Sequence, residues 1–129
     1  MSTYPLNKKS PDNGETEAEV DLHKMLVPDP AAAFLLRVEG EGMTLAGIDH
    51  GDLLVIDSSR VAMPGDIVVL EYYGTHYVRR FRETPTDLLF TSESAESEIL
   101  EMGKTGAVKI LGVVLHSIRS FDNGRSDLI

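Results

Sequence analysis

The sequence contains no cysteine and no tryptophan among its 129 residues. The first absence excludes disulfides, thiol nucleophiles and thiolate metal sites. Four histidines, His23, His50, His76 and His116, are scattered without the close spacing of a metal motif, so neither a metal nor a cofactor is expected. Long apolar runs are missing as well. No stretch approaches the roughly 20 residues that cross a bilayer, and residues 1–30 lack the apolar core of a signal peptide. A cytoplasmic protein with no membrane partner is therefore expected. Positive charge is scarce, 12 Lys and Arg against 21 Asp and Glu, for a formal net charge of −9. Direct nucleic-acid binding relies on clustered cations that neutralise phosphates, so none is expected. The one local cluster, Arg79, Arg80 and Arg82, reads as strand arginines balancing an acidic surface.

What is present divides into three parts: residues 1–30 as an arm, 31–121 as one domain, and 122–129 as a tail. The arm holds Pro5, Pro11, Pro28 and Pro30 and an acidic run from Asp12 to Asp21, which is the composition of a mobile segment. Only Val20 to Leu26 has enough apolar character to dock, as a short turn or strand. From Ala31 the pattern is short apolar runs between turn residues, the mark of an all-β domain. Strands are expected at Phe34–Val38, Leu53–Ile56, Ile67–Leu70, His76–Arg82, Leu88–Phe90 and Val108–Arg119, with a turn at Tyr73-Gly74 and a solvated acidic loop over Ser92–Glu101. The length is that of a single domain with one modest core.

The last strand is the most apolar. Val108, Ile110, Gly112, Val114, His116 and Ile118 alternate with Lys109, Leu111, Val113, Leu115 and Ser117, so both faces are largely apolar. A second copy covering this strand predicts a homodimer whose interface includes Ile110, Gly112, Val114 and His116.

The stretch Arg37-Val-Glu-Gly-Glu-Gly-Met43, taken with Tyr77-Val-Arg-Arg-Phe81, resembles the active-site signature of the LexA/UmuD family of self-cleaving S24-type serine peptidases. In that family a serine nucleophile follows a glycine and a polar residue and precedes a methionine, and a later strand brings a lysine base. Here Gly42 stands at the serine position and Arg79 at the lysine position, 37 residues apart, as the resemblance requires. Gly40, Glu41 and Met43 complete the turn. Gly51-Asp-Leu-Leu-Val-Ile-Asp57 and Gly65-Asp-Ile-Val-Val69 are similar to the family's two Gly-Asp strands, marking Gly51, Asp52, Gly65 and Asp66. Leu111-Gly-Val-Val114 is similar to its closing strand. The resemblance runs from about Ser10 to Ser120 and implies a mostly-β, twisted, multi-stranded LexA/UmuD C-terminal-like domain.

A serine–lysine dyad needs a hydroxyl to attack the carbonyl and an amine that can be neutral to take its proton. Gly42 has no hydroxyl. An arginine keeps its proton, with a pKa above roughly 12, and cannot act as the base at neutral pH. The expectation is a pseudo-peptidase with no functional catalytic residue. Thr44, Ser58 and Ser59 are the nearest hydroxyls in sequence, and none stands in a motif with a lysine. Residues 10–26 are similar to the part of UmuD just after its self-cleavage site, and the arm has no Ala-Gly or Cys-Gly bond of the type the family cuts. The resemblance is thus closest to processed UmuD. It implies a homodimeric accessory subunit of an error-prone, UmuC-like Y-family polymerase acting in translesion synthesis during the SOS response. A RecA filament and a full-length UmuD relative are further partners it implies. Two alternatives are a dimerisation module related to repressor carboxy-terminal domains and a peptidase inactivated by an engineered glycine.

Overall fold

The structure is a computed structural model that describes residues 20–95 and 108–122, together with the backbone of 99–101. Most of the expected arm, 1–19, and the tail from 123 lie outside the described residues.

The strands are β1 (Ala33–Arg37), β2 (Leu53–Asp57), β3 (Ile67–Tyr72), β4 (Thr75–Glu83), β5 (Leu88–Thr91), β6 (Ile99–Glu101) and β7 (Val108–Ile118). They form one antiparallel sheet in the order β1-β2-β7-β3-β4-β5-β6. The mostly-β fold expected from the sequence is thus observed. Every residue of β2 is buried, as its unbroken apolar run predicts. The β3–β4 hairpin turns on Tyr73 and Gly74, both at positive φ (49° and 79°), the left-handed pair that a type I′ hairpin turn requires.

Two clusters make the core. Val38, Met43, Ile48, Leu54, Ile56 and Val69 form the first. Val68, Leu70, Phe81, Phe90, Val108 and Val113 form the second, with Phe81 and Phe90 stacked at 5.4 Å between ring centres. Val68 and Val69 fall in different clusters, so β3 is packed on both sides.

Three expectations need correction. Val20–Leu26 was expected as a turn or strand, but Leu22–Leu26 is a short helix, α1, because the Asp21 carboxylate accepts from the Lys24 N–H and caps its first turn. Ser92–Glu101 is not simply a solvated loop: Ser92 is buried and 99–101 pairs with β5. Finally, β7 does not keep strict alternation. Its register slips once against β3, between Val69 and Leu70, and once against β2, between Val55 and Ile56. Each bulge adds a residue and reverses which side the chain presents. Val108 and Val113 consequently share the second cluster, while Leu111 and Val114 pack on the first.

The bulged strand also changes the premise of the dimer expectation. β7 lies between β2 and β3, so both its edges are already paired, and its side chains pack into both core clusters of the chain itself. Gly112 is buried against β2, Val114 is packed on the first cluster, His116 is half-buried, and Ile110 is the most open of the four at 37% exposure.

Candidate functional site

The turn after β1 builds one wall of a cleft of about 840 Å³. Its entry is fixed by extension of the β1–β2 ladder: the Val38 N–H donates to the Asp52 carbonyl and the Gly51 N–H to the Val38 carbonyl. Gly40 then takes φ +89°, a left-handed conformation that glycine adopts at little cost, and its N–H donates to Nδ1 of His50 at 3.0 Å. Met43, 2% exposed, drives into the first cluster and anchors the far end. A single 3₁₀ turn over Thr44–Ala46 follows and stops at Gly47.

Two backbone bonds strap this turn to the segment beyond β5. The Glu93 N–H donates to the Gly42 carbonyl at 2.9 Å, and the Leu45 N–H donates to the Glu93 carbonyl at 2.7 Å. The Glu93 carboxylate accepts from Nε and Nη2 of Arg80 at 2.7 and 2.9 Å, and Arg82 lies 3.7 Å away. Arg80 in turn donates to the Gly65 carbonyl. Hydrogen bonding from Arg80 holds the Glu93 carboxyl below its ordinary range, although burial pulls the other way. Glu93 thus ties position 42 to strand β4, and sequence reading missed it because an acidic stretch gives no sign of a partner on another strand.

That tie brings Gly42 and Arg79 face to face. An ideal Cβ on Gly42 would lie 2.6 Å from Nη1 and 3.2 Å from Cζ of Arg79. The backbone at Gly42 is outside the left-handed region, so any residue could adopt it, and what fills the space is the arginine side chain. Arg79 also stacks over the Tyr77 ring, with its Cζ 5.1 Å from the centroid, and donates from Nη1 to the Val78 carbonyl.

Of the residues singled out in the sequence, Gly40, Glu41, Gly42, Met43 and Arg79 meet around the cleft. Thr44, Ser92 and Ser94 bring hydroxyls to its lining, and among the described residues no lysine contributes to it. Ser58 and Ser59 lie elsewhere, bonded to the Ala32 carbonyl and the Asp57 carboxylate. Gly51, Asp52, Gly65 and Asp66 do not line the cleft. Both Gly-Asp pairs are the same turn device: glycine takes φ of 90° or 97°, and the aspartate accepts from the N–H three residues earlier, Asp49 or Met63.

Asp52 is more than a turn residue. It is 2% exposed and accepts from Arg119 through both carboxylate oxygens at 2.9 and 2.8 Å, and from the Ser117 hydroxyl at 3.2 Å. The Arg119 hydrogen bonds hold its carboxyl below the ordinary value, against the opposing effect of burial. The end of β7 is thereby locked to the turn that carries His50. Among the described residues no group of His, Asp and Glu is arranged to hold a metal, and no helix is long and apolar enough to cross a membrane.

Residues 6–115 match the family described as Peptidase S24-like. The chain is 39% identical over 110 residues to Protein ImpA of Salmonella typhimurium, spanning 84% of this chain and 74% of that protein. It is 34% identical over 121 residues to Protein SamA of the same species, spanning 92% and 84%. Over 93 residues it is 38% identical to the LexA repressor of Geotalea uraniireducens, spanning 71% of this chain and 46% of the repressor. With an antiparallel β fold, a glycine turn facing a basic strand residue and a match over most of its length, the chain belongs to the Peptidase S24-like family.

Proposed function

We propose that this protein is a non-cleaving member of its family that acts in SOS mutagenesis as a UmuD-like accessory subunit of an error-prone Y-family DNA polymerase. The observation that carries the proposal is the pairing of Gly42 with Arg79: the position expected to supply a hydroxyl has no side chain, and the position expected to supply a neutral amine holds a group that stays charged. Similarity to ImpA and SamA supports the UmuD branch of the family. In this reading the protein works as a homodimer, its surface binds a UmuC-like polymerase, and a RecA filament or a full-length relative is a further partner. Ile110, the most open of the expected interface residues, is the one best placed to meet a second copy.

The test is co-expression with a UmuC-like polymerase, followed by affinity capture and sedimentation. A stable complex containing a dimer of this chain supports the proposal. A stable monomer that captures no polymerase removes it. The similarity to the LexA repressor favours a second reading, a regulatory dimerisation module, which capture of a repressor in place of the polymerase would support.

A further inference from the structure

The lip of the cleft depends on a ring nitrogen that can take up a proton. Gly40 sits at the apex of the turn with φ +89°, and the bond from its N–H goes to Nδ1 of His50 at 3.0 Å. A neutral imidazole can accept at one nitrogen only, and accepting at Nδ1 requires that the proton be on Nε2. When the ring is protonated both nitrogens become donors. The Gly40 N–H then faces another N–H, and the bond is replaced by repulsion.

We propose that His50 is a proton-operated catch on the cleft lip, closing the turn at residues 39–41 when neutral and releasing it when protonated. Histidine is the side chain whose charge changes between about pH 5 and 8. The ring is exposed, so protons reach it directly. Released motion is confined to a few residues, because the turn is pinned at both ends. On the near side Val38 is bonded to Asp52 and Gly51; on the far side Met43 is in the core and the Gly42 carbonyl is bonded to Glu93. The base beneath His50 is equally fixed, since Asp52 holds the Asp49 N–H and is itself gripped by Arg119.

The charged groups around the ring leave this logic intact. From the end of β1, Arg37 is engaged with the Gly51 carbonyl at 2.9 Å. On the ring's own turn, Asp49 and Asp52 are both paired with Arg119 from the end of β7. Glu39 and Glu41 are carried by the turn itself and are exposed. As anions they attract a protonated ring through space, and the Gly40 N–H is bonded to the neutral ring and to neither of them. The switch therefore acts on hydrogen-bond polarity and not on net charge.

The experiment follows the Gly40 amide and the His50 ring together by NMR from pH 8 to pH 5 in the full chain. The Gly40 amide shift is expected to move with the same midpoint as the His50 ring, with amide exchange, corrected for its intrinsic pH dependence, at least several-fold faster on the acid side. In His50→Asn the side-chain oxygen can accept in place of Nδ1 without titrating, and the inflection is expected to vanish with the amide protected throughout. In His50→Phe no acceptor exists, and the amide is expected to exchange fast at every pH. A Gly40 amide that ignores the ring's titration in the wild type overturns the proposal. So does an inflection of equal size in His50→Asn. Unchanged amide shifts for Leu54 and Val69, which are fully buried in the core, separate local release from general loosening.

Discussion

Nη1 of Arg79 lies 2.6 Å from where the Cβ of a residue at position 42 would be, so glycine at 42 and arginine at 79 are mutually compatible in a way that any side chain at 42 would disturb. The obstructing atom is the far end of a flexible side chain and can swing away. Gly42→Ala is therefore expected to be tolerated, with a net change within about 1 kcal/mol, because the lost unfolded-state freedom of glycine offsets part of the displacement. The displaced arginine leaves the Tyr77 ring. A double-mutant cycle by chemical denaturation with Arg79→Ala is expected to show coupling of about 0.5–1 kcal/mol between the two positions, and additivity would contradict the contact.

Gly112 gives the opposite outcome. A Cβ there would lie 2.6 Å from Cγ2 of Ile56 and 2.9 Å from the Asp57 carbonyl oxygen. The second neighbour is backbone of the paired strand and cannot swing aside. Gly112→Ala is expected to destabilise the protein by about 1–3 kcal/mol, the cost of overpacking a close-packed interior. Thermal and urea unfolding of the two glycine variants side by side checks the contrast, and a Gly112→Ala protein as stable as the wild type would refute the close approach.

How far the sequence could be read follows from the range of the interactions involved. Most strands were legible because they are short apolar runs bounded by turn residues, whereas β6 lay hidden in an acidic stretch, and the Gly-Asp pairs announce their turns through chemistry local to three or four residues. Gly112 was read only as part of an alternating apolar face, and strict alternation drew the wrong faces for β7. The bulges themselves left no mark in the pattern. Glu93 could not be identified, since its partner Arg80 is 13 residues away and becomes a neighbour only after β4 and β5 pair. The Gly40–His50 bond was hidden for the same reason, with 10 residues between donor and acceptor. Gly42 and Arg79 were found only because a family resemblance supplied the long-range pairing.

The Glu93 tie predicts a pH-dependent stability with a definite sign. Glu93 and Asp52 both have carboxyls held below their ordinary values of 4.5 and 3.8 by arginine hydrogen bonds. A depressed folded-state pKa means that the unfolded chain binds protons first as pH falls. Their stabilisation is thus fully present above about pH 5 and is lost as pH drops through 4.5 and 3.8 toward the lower folded values. Glu93→Gln is expected to lose about 1–2 kcal/mol at neutral pH, a charge-assisted hydrogen bond discounted for partial exposure. Urea midpoints from pH 7 to pH 3 should show a shallower acid limb in Glu93→Gln and in Asp52→Asn than in the wild type. Parallel limbs in all three proteins would assign the acid sensitivity elsewhere.

The remaining prediction concerns cleavage. Attack on a peptide carbonyl at this cleft needs a hydroxyl at the turn and a neighbouring group able to take its proton. Gly42→Ser supplies the first and leaves a guanidinium beside it, 2.6 Å from the new Cβ before any adjustment. Arg79→Lys supplies a deprotonable amine but leaves position 42, which faces it, without a hydroxyl. Each single variant, like the wild type, is expected to leave both itself and a full-length family relative uncut, even at alkaline pH where an amine would lose its proton. Only the double variant Gly42→Ser/Arg79→Lys brings a hydroxyl and a titratable amine to the positions that face each other. Mass spectrometry after long incubation reads the result, because any cleavage produces fragments of defined mass. A specific fragment from the wild-type protein would show that another hydroxyl on the cleft, from Thr44, Ser92 or Ser94, performs the attack, and the non-cleaving reading would fall with it.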